Sequence, residues 1–203
     1  MPPKYKVVGF LARQHGLEGL KSIMKSEKYD PLCVFTHRMN PTSENPSGEQ
    51  RDDFKDFESL TRSHGIPLYA VDSKNENRIV YGIFRDYPID LILSISWRRL
   101  IPLHQLRMAK YGGLNIHRGK LPEYAGALPI HRALRDCQKN LYVTAHVLSE
   151  EIDGGEILDT IVHPVNYNPE KSLEENIERL KREISPHMGE LSIRGLDKLL
   201  LRK

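Results

Sequence analysis

The sequence predicts an α/β protein: a doubly wound, mostly parallel, Rossmann-like sheet with a helical C-terminal extension. Three observations lead there. Short apolar runs rich in branched residues recur along the chain, as strands require. Segments with helical spacing of apolar residues separate them, and such strand–helix–strand units build parallel sheets with right-handed crossovers. Several of the runs are apolar at consecutive positions, the pattern of a strand covered on both faces.

Tyr5 to Leu11 (YKVVGFL) reads as the first buried strand. Gly16 to Met24 carries Leu17, Leu20, Ile23 and Met24 on one helical face. Leu32 to Thr36 is a second short strand. Arg38 to Glu49 is polar and turn-rich, an exposed loop. Asp52 to His64 places Phe54, Phe57, Leu60 and Thr61 on a helical face, and Ile66 to Val71 is strand-like. Asn75 to Phe84 is a third helix. Asp90 to Ile95 (DLILSI) is a strand apolar almost throughout. Pro102 to Met108 reads as a short helix, Gly113 to His117 as a strand, and Leu128 to Cys137 as a helix. Leu141 to Leu148 and Glu156 to Val165 read as paired strands. Ser172 to Leu201 is a long charged amphipathic helix, with a break expected at Ser185–Pro186, because proline removes a helical N–H and clashes with the preceding turn.

The chain has 203 residues, 39% hydrophobic and 28% charged, which argues against a disordered or fibrous protein. A single domain is the economical reading, with a core over residues 1–168 and C-terminal helices over 169–203. The net charge of +3 is too small for a protein built around nucleic acid. Its distribution is uneven. Arg98, Arg99, Arg107, Lys110, Arg118 and Lys120 fall in one stretch that has no acid, whereas no lysine or arginine lies between Asn140 and Glu170. That asymmetry fits two solvated faces or an anion-binding groove beside an acidic centre. Cys33 and Cys137 form no metal or redox motif. No secretory leader precedes them, and no apolar run approaches the roughly 20 residues that cross a membrane. A cytoplasmic protein without a membrane partner is expected.

The candidate chemistry starts at Asn115-Ile116-His117. On a strand these two polar side chains project to one face, at the strand end where open α/β sheets bind ligands. Glu151-Ile152-Asp153-Gly154-Gly155 reads as a turn that can return a carboxylate to the same edge, where it would orient an imidazole. Taken singly, each segment is an ordinary strand end or turn. No dinucleotide or phosphate loop, zinc motif or serine-hydrolase elbow is present, and no metal is expected.

In order, Asn115-Ile116-His117, Leu121-Pro122-x-Tyr124-x-Gly126-x-x-Pro129-Ile130, Thr144-x-His146 and Ile152-Asp153-x-Gly155-x-Ile157-Leu158 form a combined pattern. It resembles the formyltransferases that use 10-formyltetrahydrofolate, and the similarity extends over most of the chain. The resemblance implies that Asn115, His117 and Asp153 are the catalytic set. It implies folate contacts at Ser96, Trp97, Arg98, Arg99, Leu100 and Ile101, at Gly119, Lys120, Leu121 and Pro122, and at Ile152, with Arg98 and Arg99 near the glutamate tail. Arg13, Tyr124 and Gly126 are the implied acceptor contacts. The family's Ser-Leu-Leu-Pro segment reads Gly119-Lys120-Leu121-Pro122 here, and its Arg-Gly reads Ala125-Gly126.

The reaction so implied is transfer of a formyl group to a primary amine. Asn115 would donate to the oxyanion. His117 would act there or as general acid–base, and Asp153 would orient His117 or take the amine proton. A nucleotide-linked amino sugar is the leading acceptor. Only 50 residues follow Asp153, fewer than the added domain of a tRNA-directed relative needs, and the phosphate loop of glycinamide ribonucleotide transformylase is replaced by Ala12-Arg13-Gln14-His15-Gly16. Those two acceptors, hydrolysis of the formyl donor and a non-catalytic folate-binding module are the alternatives. Nucleic acid is not expected as a partner, and a homodimer stays open.

Overall fold

A computed structural model describes residues 3–41, 46–73 and 76–202. Part of the predicted polar loop (42–45) and the predicted start of the third helix (75) lie outside them. The elements run β1 (Tyr5–Leu11), α1 (Arg13–Lys25), β2 (Tyr29–Thr36), α2 (Phe54–Ser63), β3 (Leu68–Ala70), α3 (Asn77–Asp86), β4 (Leu91–Ile95) and α4 (Leu103–Leu106). Then follow β5 (Gly113–His117), α5 (Pro129–Arg135), β6 (Asn140–Val147), β7 (Ile157–Pro164) and α6 (Leu173–Leu200).

The strands form one sheet in the order β3-β2-β1-β4-β5-β6-β7. The first five run parallel, and β6 is antiparallel to both β5 and β7. The chain order reverses between β1 and β4, which is the topological switch point of a doubly wound sheet. Leu11 lies beside Ile95, and Ile95 beside Ile116, so the C-terminal ends of β1, β4 and β5 share one edge.

Two cores sandwich the sheet. On one face, Leu17, Leu20 and Ile23 of α1 and Ile177, Leu180, Ile184, Met188, Leu191 and Leu196 of α6 pack on Val7, Leu93, Leu114 and Val143. On the other, Val80 and Phe84 of α3 and Leu106 of α4 pack on Val8, Phe10 and Ile92. Each large apolar side chain so buried contributes roughly 1.5–3 kcal/mol.

Two sequence expectations are corrected. The long helix does not break: α6 runs through Pro186, opened by a capping box in which Ser172 and Glu175 satisfy each other's backbone N–H. Its buried stripe continues on both sides of the proline from Ile184 to Met188, and that burial outweighs the roughly 3 kcal/mol an internal proline costs. The second strand begins at Tyr29 rather than Leu32, because Asp30-Pro31 masks its start. Val7 pairs with Pro31 and Val8 with Cys33, so a bulge at Leu32 accommodates the residue without an N–H.

Candidate active site

The switch-point edge opens into a cleft of about 1160 Å³. Asn115 and His117 of β5 line it, with His146 of β6 and Asp153 of the β6–β7 connection. Register explains the first contact: Asn115 sits directly opposite His146 across the antiparallel pair, where side chains are nearest neighbours. Asn115 Nδ2 donates to His146 Nε2 at 2.9 Å and to Asp153 Oδ1 at 3.2 Å. His146 Nδ1 lies 3.0 Å from the Val147 carbonyl, and its Nε2 lies 3.3 Å from Asp153 Oδ1. Both amide hydrogens of Asn115 are therefore engaged within the protein.

His117 is buried between two acceptors. Its Nε2 is 2.7 Å from the Tyr124 carbonyl, and its Nδ1 is 3.1 Å from Asp153 Oδ2. Only the doubly protonated ring donates to both. Burial pushes the His117 pKa below its ordinary value; the Asp153 charge and the Tyr124 carbonyl pull it back part of the way. Burial also opposes the charge of Asp153. The contact with His146, the charge of His117 and the Gly126 N–H at 2.8 Å outweigh it, and Asp153 is held below the usual carboxylate range.

The backbone around the cleft is unusual. Five described non-glycine residues have left-handed φ, and four of them (Arg13, Ser96, Leu128 and Asp153) line the cleft. Such conformations cost about 1 kcal/mol or more each and collect at functional sites.

Most of the residues expected in the site are there. Ser96, Trp97, Arg98, Arg99, Leu100 and Ile101, between β4 and α4, line the cleft, as do Ile152, Arg13 and Gly126. Trp97 also belongs to the core: it stacks on His37 with centroids 4.0 Å apart and meets Phe10 edge-on. The Arg99 guanidinium donates to the Asp72 and Ser73 carbonyls, and Arg98 reaches Asp72 at 3.5 Å, so both tie this loop to the end of β3. Leu100 (61% exposed), Leu128 (59%) and Ile152 (63%) form an apolar rim, the kind of exposed patch that marks a ligand-binding surface.

Gly119, Lys120, Leu121 and Pro122, the other expected folate contacts, are not among the residues that line the cleft. They lie behind His117. A Cβ at Gly119 would stand 2.8 Å from His117 Nε2, so the backbone approaches the ring too closely for a side chain. Lys120 pairs with Glu123 at 2.6 Å, and Leu121 is buried. The Tyr124 side chain is not a cleft residue either; its hydroxyl donates to Asp136.

Sequence reasoning gave no role to His146, Gln14, His15, Arg118, Lys181 or Arg182, all of which line the cleft. For His146 the signal was the strand pairing itself. Lys181 and Arg182 come from α6, and nothing local connects them to β5. Of the six basic residues in the acid-free stretch, Arg98, Arg99 and Arg118 line the cleft; Arg107, Lys110 and Lys120 do not. Among the described residues, no group of three or more histidines, cysteines or acids could hold a metal ion. No described helix is long and apolar enough to cross a membrane.

A doubly wound sheet carries an Asn–His–Asp cluster in the cleft at the C-terminal edge of its parallel strands. In the comparison with known families, residues 13–187 match the formyl transferase family, and the chain belongs to it. It is 33% identical over 95 residues to methionyl-tRNA formyltransferase of Dictyoglomus turgidum, a match covering 47% of this chain and 30% of that protein. Among solved structures it is similar to a formyltetrahydrofolate deformylase from Pseudomonas syringae pv. tomato (TM-score 0.74, 23% identity, 99% of this chain and 63% of that one). It is likewise similar to phosphoribosylglycinamide formyltransferase from Bacillus halodurans (TM-score 0.70, 22% identity, 98% and 96%). The chain thus spans about a third of the tRNA enzyme and under two thirds of the deformylase.

Proposed function

We propose that this chain is a catalytic domain that transfers the formyl group of 10-formyltetrahydrofolate to a primary amine, with a nucleotide-linked amino sugar as the acceptor. The observation that carries the reading is the meeting of Asn115, His117, His146 and Asp153 in the cleft, through the Asn115 hydrogen bonds and the 3.1 Å contact of His117 with Asp153. The co-substrate supplies a formyl carbon activated by its nitrogen leaving group. The apolar rim of Leu100 and Ile152 and the Ser96–Ile101 loop suit a flat aromatic ligand with a polar edge.

The neutral amine attacks the formyl carbon, forming a C–N bond and an oxyanion. Asp153, ionised at neutral pH, takes the amine proton. As its charge is neutralised, its hold on Asn115 weakens, and the released N–H turns to the oxyanion. His117, 3.1 Å from Asp153 Oδ2 through Nδ1, orients that carboxylate beside the intermediate. Collapse breaks the original C–N bond, and the leaving nitrogen takes a proton from the His117–Asp153 pair. Removing one oxyanion donor in such a scheme typically costs about 10²–10³ in rate.

For the acceptor, seven basic residues (Arg13, Arg51, Arg98, Arg99, Arg118, Lys181 and Arg182) line the cleft against five acids (Asp52, Asp53, Glu151, Asp153 and Glu178), and Glu178 pairs with Lys181 at 2.6 Å. The surplus of positive charge supports a phosphate-bearing amine. The exposed free thiol of Cys137 supports a reducing, cytoplasmic setting. The test is a screen of nucleotide-linked amino sugars, glycinamide ribonucleotide and methionyl-tRNA with the formyl donor, reading tetrahydrofolate release. Response to the amino sugars is expected; response to the tRNA alone would overturn the acceptor assignment.

A further inference from the structure

Two backbone groups of one short turn touch the catalytic pair: the Tyr124 carbonyl meets His117 Nε2, and the Gly126 N–H meets Asp153 Oδ2. What fixes that turn is not burial, since Tyr124, Ala125 and Gly126 are all half-exposed. Nor is it crowding at its end: Gly126 has φ +83°, and a Cβ there would meet nothing within 4 Å.

The turn is held from α5. Arg132 Nη2 donates to the Ala125 carbonyl, the residue between the two that touch the catalytic pair. The same guanidinium lies 5.7 Å from the Tyr124 ring centroid. One helical turn further on, Asp136 accepts the Tyr124 hydroxyl at 2.9 Å. Arg132 and Asp136 therefore grip the turn at its backbone and at its aromatic side chain. Within the turn itself, Tyr124 N–H donates to the Lys120 carbonyl at 2.7 Å and Ala125 N–H to the Pro122 carbonyl at 3.2 Å. Those bonds shape the turn; they do not seat it on the site.

We propose that Arg132 is a positioning residue, which holds the Tyr124 carbonyl on His117 and the Gly126 N–H on Asp153 and so keeps the pair in its working geometry. This rests on the reading of His117 and Asp153 as the catalytic pair. Besides the Tyr124 carbonyl, the groups acting on His117 are Asp153 from the β6–β7 connection, His146 of β6 and Arg118 at the end of β5. Arg132 touches none of them, so its effect runs through the turn. The carbonyl favours the charged ring; losing it moves the His117 titration to lower pH.

The test is NMR titration of the His117 ring in the full chain, assigned by its absence in His117→Asn, alongside kcat and KM. In Arg132→Met the His117 titration is expected to move to lower pH and kcat to fall about tenfold, with KM for the formyl donor little changed. Arg132→Lys, which keeps one donor, falls between. Arg135→Met, on the same helix and away from the turn, leaves both unchanged. A kcat loss with an unmoved titration, or no change in either, overturns the proposal. If Arg132→Met does not fold, the direction of the Arg132→Lys shift decides. The titration needs no turnover, so it separates this claim from the assignment of the reaction.

Discussion

His117 faces a carboxylate on one nitrogen and a carbonyl on the other, and both contacts end when its ring is removed. His117→Ala is expected to lower kcat by at least 10²-fold with the fold intact, checked by steady-state kinetics beside circular dichroism. Asn115→Ala is expected to lose a similar factor, because no other side-chain donor faces both His146 and Asp153 in the hydrogen-bond pattern described. Asp153 carries a stability signature as well. Its folded pKa lies below the ordinary value, so its stabilising contribution is complete above the unfolded carboxylate range and is lost as pH falls through the folded value. Urea unfolding of Asp153→Asn should show a shallower loss of stability than the parent as pH falls below about 4. Asn115 and His117 were legible in the sequence because strand alternation is local. His146 was legible only as part of the Thr144-x-His146 segment; its role was not, because that depends on which residue of β6 lies opposite Asn115, and pairing register is a property of two strands.

The elements were legible where apolar periodicity was uninterrupted. β5 and β1 match the sequence reading residue for residue. α6 and β2 departed from it at their prolines, where local chemistry was overruled by packing on α1 and by a bulge beside β1. Pro186 is exposed and its helix is held by the buried stripe, so the missing N–H is a residual cost. Pro186→Ala is expected to raise stability by about 1–3 kcal/mol in denaturant unfolding; a loss would mean that the proline ring itself is needed. At the helix start, Ser172→Ala should cost about 1 kcal/mol, since it removes one half of the capping box.

At the scale of the molecule, the cleft joins residues from Arg13 to Ser185, and its α6 wall had no signature in the sequence. Its surroundings also bury histidines in neutral form. Burial, with the nearby Arg118 for His15 and Arg98 for His37, lowers both to about 3. In the unfolded chain these rings gain protons near pH 6.5, so stability is full above that value and falls as pH drops from about 6.5 toward 3. Each contributes up to about 1.4 kcal/mol per pH unit. Equilibrium unfolding should show a clear loss between pH 7 and pH 5, reduced in His15→Leu. The central claim is transfer of a formyl group to an amine, and the most direct measurement follows a ¹³C-labelled formyl group by NMR in the presence of nucleotide-linked amino sugars. The account predicts that the label appears in a formamide of the sugar and that His117→Ala abolishes it. Label released as formate, with or without the amine, would contradict it.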